Sequence, residues 1–323
     1  MFHSPAWINV LDDTYGFAIR ANLAIETSGS AVAGLVYAEI DDFMDPRLVS
    51  LPFSDFCDPL ARDRAAWEVI VRDLFGRERR MSLRSLHNEV AVADERFEVS
   101  DELGWHGIDI ARDPDQIWTE FSGSARRAIR KATADGLEIR EAEDTGDLRE
   151  FFELHLRVRK YKYGLLAQPY RFFESIWERF IERDAGTLLL ALHEGRVIGG
   201  VMYLEWKDTL YYKFNASEPA SLQVRPNDAL LWAGVRHGYE RGLRLLDFGV
   251  SDLNQEGLLR YKRKYSSEEG RVRVLSYAPE GFPTVSDRRA RSVLSDLTKL
   301  LVSPDVPDRV TERAGDKLYR FFI

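Results

Sequence analysis

Gly195-Arg-Val-Ile-Gly-Gly200-Val-Met-Tyr203-Leu-Glu205-Trp206 has a near copy upstream, Gly29-Ser-Ala-Val-Ala-Gly34-Leu-Val-Tyr37-Ala-Glu39-Ile40. Four positions are identical at a constant offset of 166 residues, and apolar types match at most of the others. A spacing close to one domain length points to two copies of one fold.

Outward from the second copy, the pattern predicts antiparallel strands. Thr187–His193 is an apolar run, Glu194-Gly195 a turn, Val197–Trp206 the returning strand, Lys207-Asp208 a turn and Thr209–Ala216 a third strand. Pro226 suits a first helical position, and Leu231, Trp232, Val235 and Tyr239 recur at helical spacing up to Gly242. Leu243–Val250 reads as a buried strand, Ser251–Gln255 as a loop, Glu256–Tyr265 as a helix and Arg271–Tyr277 as a last strand. Upstream, Gln116–Ala134 reads as one connecting helix, Leu137–Arg140 as a strand, and Asp147–Arg159 and Arg171–Arg183 as amphipathic helices. Ser286–Leu301 is a C-terminal helix and Asp316–Ile323 an apolar-basic tail. The expected class is α/β. The expected division is 1–115, a first module; 116–135, a connecting helix; 136–280, a second module bearing the chemistry; and 281–323, a helical extension.

Composition narrows the function. The 323 residues carry a net charge of −8, with 45% apolar and 30% charged residues, as in ordinary globular proteins. The acidic balance argues against DNA as a partner. Cys57 is the single cysteine, which excludes an internal disulfide or a zinc cluster. Met1–Val10 shows no signal-peptide pattern, and no apolar run is long enough to span a bilayer. The expected location is the cytoplasm, with the inner face of the membrane as an alternative through the C-terminal segment, where Arg288, Arg289 and Arg291 stand at an amphipathic helix. The six histidines are scattered without metal-binding spacing, so no metal is expected. There is no phosphate-binding Walker loop and no GxGxxG, and Gly249-Val-Ser251-Asp-Leu253 lacks the last glycine of a nucleophile elbow.

Leu188–Leu204, with its turn at Gly195 and the pair Gly199-Gly200, resembles the central hairpin of GNAT acyltransferases. Further segments resemble the FemAB-like branch: Ala125-Arg-Arg-Ala-Ile-Arg-Lys-Ala132, Arg157-Val-Arg159 through Gly164 to Phe172-Phe173, Arg225-Pro-Asn227, and Asp247-Phe-Gly249-Val-Ser251 followed by Leu259-Arg-Tyr-Lys262. Leu48–Phe53 to Pro59-Leu60 resembles the same branch. The resemblance spans roughly residues 5–280 and implies tandem GNAT-like modules. The implied activity is transfer of an acyl group from acyl-CoA to an amine of an envelope, saccharide or peptide precursor. Aminoacyl-tRNA is the alternative donor, and a non-catalytic saccharide- or partner-binding module the alternative role. One departure matters. Acetyl-CoA-dependent relatives carry a glycine loop whose backbone N–H groups hold pyrophosphate; Ser221-Leu-Gln-Val-Arg-Pro-Asn-Asp228 stands here instead.

The candidate residues follow. Helical geometry places Lys262 within an apolar arc while Arg260, Arg263 and Lys264 face away, so its ammonium either serves an oxyanion or phosphate or snorkels to water. Asp247, Ser251 and Asp252 flank the end of a buried strand and offer a general base, with capping or ion pairing as the structural alternative. Arg225 and Asn227 stand where the glycine loop is missing and either bind the donor's phosphate or cap the helix. Arg157 and Arg159 match a family segment that lines the acceptor groove; a solvated face is the alternative. Tyr203, Tyr211, Lys213 and Tyr261 are substrate-side candidates, with Tyr211 and Lys213 on one strand face. The basic cluster Arg126, Arg127, Arg130 and Lys131 is a solvated face or an anion contact. In the resembled fold the donor lies where two strands part, here Leu210–Ala216 and Leu243–Val250.

Overall fold

The chain was studied as a computed structural model that describes residues 1–282 and 285–323, with backbone alone for residues 285–288. Helix α1 (Pro5–Tyr15) starts at Ser4, whose Oγ accepts from Trp7 N at 3.1 Å. Strands β1 (Ala18–Ile25) and β2 (Ala31–Ile40) form a hairpin through Gly29. Then come β3 (Arg47–Val49), α2 (Arg64–Phe75), β4 (Arg80–Ser85), the short α3 (Glu89–Val92) and β5 (Glu98–Asp109). Helices α4 (Pro114–Glu120) and α5 (Gly123–Ala134) lead to β6 (Glu138–Glu141), α6 (Thr145–Arg157) and α7 (Tyr170–Arg179). The second meander is β7 (Gly186–His193), β8 (Arg196–Trp206) and β9 (Thr209–Ser217). It is followed by α8 (Pro226–Glu240), β10 (Leu245–Asp252), α9 (Glu256–Lys262), β11 (Glu268–Tyr277), α10 (Val285–Leu301) and α11 (Asp308–Leu318).

Among the described residues the strands form one sheet in the order β1-β2-β3-β4-β11-β5-β10-β9-β8-β7-β6. The repeated sequence becomes repeated structure. The β1–β2 hairpin answers β7–β8, β3 answers β9, α2 answers α8, and the parallel pair β3/β4 answers the parallel pair β9/β10. The last strand of each half crosses over: β11 lies between β4 and β5, and β5 lies between β10 and β11. Each half therefore completes its sheet with a strand from the other, so residues 1–115 and 136–280 share their central strands.

Alternation along each strand sets the layers. Leu189, Ala191, Val201 and Tyr203 pack beneath α8, and Leu35, Tyr37, Leu48 and Leu83 beneath α2. The opposite face carries a third core that spans both halves, joining α1, α6 and α7 through Trp7, Phe151, Phe172 and Phe173.

Element limits shift from expectation by up to four residues, as at the end of α7, the end of α9 and the start of β11, and two helices differ in kind. The connecting helix is broken at Phe121, which is extended (φ −58°, ψ 141°) and buried against Trp232 and Tyr265. Ser122 then starts α5, its Oγ accepting from Ala125 N at 3.2 Å. Burying that ring outweighs an unbroken helix. After α6, residues Val158–Lys162 form one π-helical turn rather than more α-helix. The C-terminal segment docks on the second half: Lys160 Nζ donates to Asp308 Oδ1 at 2.8 Å, and Arg149 grips Glu312 at 2.9 and 3.0 Å. The side chain of Arg288 lies outside the described residues. Among the described residues no helix is long and apolar enough to cross a membrane.

Candidate functional site

Strands β9 and β10 pair over only three positions, Leu245↔Thr209, Leu246↔Leu210 and Asp247↔Tyr211, and then part. The cause is local. Gly249 has φ 69°, and the β10–β5 register slips between Asp247 and Val250. A β-bulge of this kind bends a strand away from its neighbour. The Asp247 carboxylate clasps the bulge by accepting from Gly249 N at 2.7 Å.

Lys262, from α9, is 5% exposed. Its Nζ donates to Gly249 O at 2.9 Å and Val250 O at 3.1 Å, and lies 5.4 Å from the centre of the Phe248 ring. Two of its three donors are thus spent on the bulge carbonyls. Burial lowers its pKa to about 8, against the upward pull of Asp55 and Asp247. Asp247 is 3% exposed, and burial, reinforced by the Asp55 charge, raises its pKa to about 6.

Asp55 is a residue that the sequence did not single out. It belongs to the loop after β3, where Phe53 takes a left-handed backbone (φ 59°), a strained conformation for a phenylalanine. The turn delivers Asp55 to the second half. Its Oδ1 accepts from Lys213 Nζ at 3.0 Å, and its Oδ2 lies 3.3 Å from where a Cβ on Gly249 would stand. Lys213, 5% exposed at its side chain, also donates to Phe53 O at 3.4 Å. Two carboxylates, Asp55 and Asp247, and two ammonium groups, Lys213 and Lys262, therefore cluster where β9 and β10 separate.

Asp247, Tyr211 and Thr209 also line an open cavity of about 510 Å³, walled on the other side by Phe56, His87 and Trp105 of the first half. Across the sheet lies a second cavity of about 460 Å³ at the start of α8, lined by Arg127, Lys131, Arg225, Asn227, Tyr261 and Lys264 among others. Arg225 precedes the helix in a left-handed conformation (φ 61°). Asn227 is held by Ser217 Oγ at 2.6 Å and Asn215 Nδ2 at 3.0 Å, both donating to its Oδ1. The Tyr261 hydroxyl oxygen is buried and makes no hydrogen bond. Four cations and the positive end of a 15-residue helix face this cavity, together with the carboxyl of Asp228.

Other expected residues stand apart. Tyr203 is 0% exposed and donates to Leu230 O at 3.1 Å; it is a core residue and lines neither of these two cavities. Arg157 is exposed, and Arg159 Nε donates to Leu166 O at 3.1 Å, fixing its own loop rather than joining the charged cluster. Asp252 is exposed and accepts from Asn254 N at 2.8 Å, the capping alternative, whereas Ser251 Oγ is buried without a partner. Of the basic cluster on α5, Arg127 and Lys131 reach the second cavity, while Arg130 stacks over Trp118. Lys264 joins them and had been set aside as an outward cation. Among the described residues no group of acidic, histidine or cysteine side chains is placed to hold a metal ion.

This geometry has known counterparts. Residues 120–263 match the acetyltransferase (GNAT) domain family. The match covers most of the second half of the chain, so that half is similar to GNAT acetyltransferase domains. The whole chain is similar in fold to structures in which GNAT folds stand in tandem. The crystal structure of FemX superposes with a TM-score of 0.63 at 12% identity, over 90% of this chain and 93% of that one. L-PGS from Bacillus licheniformis gives 0.56 at 13% identity, over 93% and 96%. A tandem GNAT protein from the clavulanic acid biosynthesis pathway gives 0.51 at 12%, over 81% and 83%. Among curated proteins none matches this chain.

Proposed function

We propose that the chain transfers an acyl group from a phosphate-bearing carrier, acyl-CoA, to an amine of an envelope or polysaccharide precursor. The observation that carries this reading is the pairing of two features across one sheet: the parted strands with Asp247 and Lys262, and the four-cation cavity at the start of α8. Arg127, Lys131, Arg225 and Lys264 would hold the carrier's phosphates by side chain, replacing the missing glycine loop. Asp247, ionised above about pH 6, accepts the proton lost by the amine as its nitrogen bonds to the acyl carbon. The bond from that carbon to the carrier breaks, and the carrier leaves with the electron pair. Lys262 sets the bulge and adds positive potential where the carbonyl oxygen gains charge.

Aminoacyl-tRNA is a second reading of the donor. It is favoured by the loop before α8, where a tight turn at Pro219–Val224 and Arg225 replace glycine. Calorimetric titration of the full chain with acetyl-CoA and with aminoacyl-tRNA separates the two. Binding of one, weakened at least tenfold by Arg225→Ala, supports that donor; binding of neither removes the transferase reading of this cavity.

A further inference from the structure

The two ends of the sheet are finished differently. At one end, β6 is four residues long, and three of them, Glu138, Arg140 and Glu141, are charged. Short, charged edge strands resist pairing with another chain. At the other end, β1 runs for eight residues, Ala18-Ile-Arg20-Ala-Asn22-Leu-Ala-Ile25, with Arg20 as its one charge and no proline. Its pairing with β2 is regular from Ala18 to Ala24, and its outer row of backbone N–H and C=O groups meets no strand among the described residues. Apolar side chains stand exposed beside that row. Ala24 packs in the core under α2, so Leu23 and Ile25 alternate onto the face away from it, where they are 54% and 62% exposed. On the α2 face, Asn22 Nδ2 donates to Ile70 O at 2.8 Å, and the neighbouring Val69 is 56% exposed. An open edge with an apolar border suits strand addition, in which backbone hydrogen bonds give affinity and flanking side chains give specificity.

We propose that β1 pairs antiparallel with β1 of a second copy of this chain, joining two 11-stranded sheets across a two-fold axis normal to the sheet. The strand is complementary to itself in that arrangement. Such an axis keeps the α2 faces of the two copies on the same side, which requires odd positions to pair with odd and even with even. With Asn22 on the axis, Ile19 of one copy stands opposite Ile25 of the other, Ala21 opposite Leu23, and Arg20 opposite Ala24. The exposed Leu23 and Ile25 thus gain apolar neighbours. The one charge of the strand faces an alanine, so no like charges, which destabilise directly opposed pairs, meet across the contact. Because Asn22 holds the Ile70 turn of α2, the same register sets the two turns, with Val69 beside them, on either side of the axis. Strand, border and helix turn are all matched by the chain's own sequence, which favours a second copy over an unrelated strand. Nothing in this contact depends on the transferase chemistry.

Sedimentation velocity of the full chain, from micromolar to hundreds of micromolar, tests the contact. A concentration-dependent dimer is expected. Leu23→Lys combined with Ile25→Lys, which lines the edge with charge, should raise the dissociation constant at least tenfold with an unchanged melting temperature in dilute solution. Ile25→Lys alone replaces the pair if the double variant folds poorly. Cysteine crosslinking reads the register, since the natural Cys57 is only 1% exposed. A mixture of Ala21→Cys and Leu23→Cys chains should form the mixed disulfide dimer under mild oxidation. A monomer at every concentration overturns the proposal and leaves the edge to a different partner. A dimer indifferent to the lysine substitutions, or one in which the two cysteines do not crosslink, places the contact elsewhere and overturns it equally.

Discussion

Asp247 is held at a cost. Its pKa, raised to about 6 by burial, means that ionising it in the folded chain is harder than in the unfolded chain. A carboxyl with a raised folded pKa favours folding most when it is protonated in both states, and that advantage is lost as pH climbs from about 4 through 6. Asp247→Asn keeps an oxygen acceptor for Gly249 N and removes the charge. It is therefore expected to raise stability at pH 7.5 by up to roughly 3 kcal/mol, two pKa units' worth, and to lose this gain at pH 4. Turnover should fall at least a hundredfold in the same variant. Thermal melts at the two pH values, read beside acyl transfer, check both halves; destabilisation at pH 7.5 counts against a buried, charge-bearing Asp247. The wild-type rate should itself be bell-shaped, rising as Asp247 ionises near pH 6 and falling as Lys262 loses its proton near pH 8.

At the scale of elements, the contact of α8 with the sheet depends on small residues, Gly234 and Gly238. A Cβ on Gly234 would stand 2.3 Å from the Tyr203 ring and hydroxyl, both fully buried. Gly234→Ala should lower stability by about 1–3 kcal/mol, the usual cost of overpacking, as a drop in melting temperature without loss of secondary structure. Most elements were legible because their signals are local: the turn at Gly195, the proline at the start of α8 and the apolar alternation of β7 to β9. The break at Phe121 was not. Nothing in Gln116–Ala134 forbids a continuous helix, and the partners that draw the ring inward, Trp232 and Tyr265, lie far along the chain.

For the whole molecule, the crossing of β5 and β11 binds the halves into one folding unit. Fragments 1–115 and 116–323, made separately, are each expected to lack cooperative melting, since each would lose its central partner strand and expose long unpaired edges. Made together they should re-form a complex that melts once. Independent folding of either fragment would contradict the shared-strand arrangement.

The amino-acid order alone determined the duplication, the meander, the inward lysine at Lys262 and the acidic strand end at Asp247, because each is written in spacing between near neighbours. The tertiary structure alone decided that Asp55 of the first half meets Lys213 of the second, that Lys262 is spent on bulge carbonyls, that Tyr203 is core, and that β1 lies at an open end of the sheet. Those facts depend on which strand lies beside which. A sheet order that crosses between halves leaves no local periodicity to read.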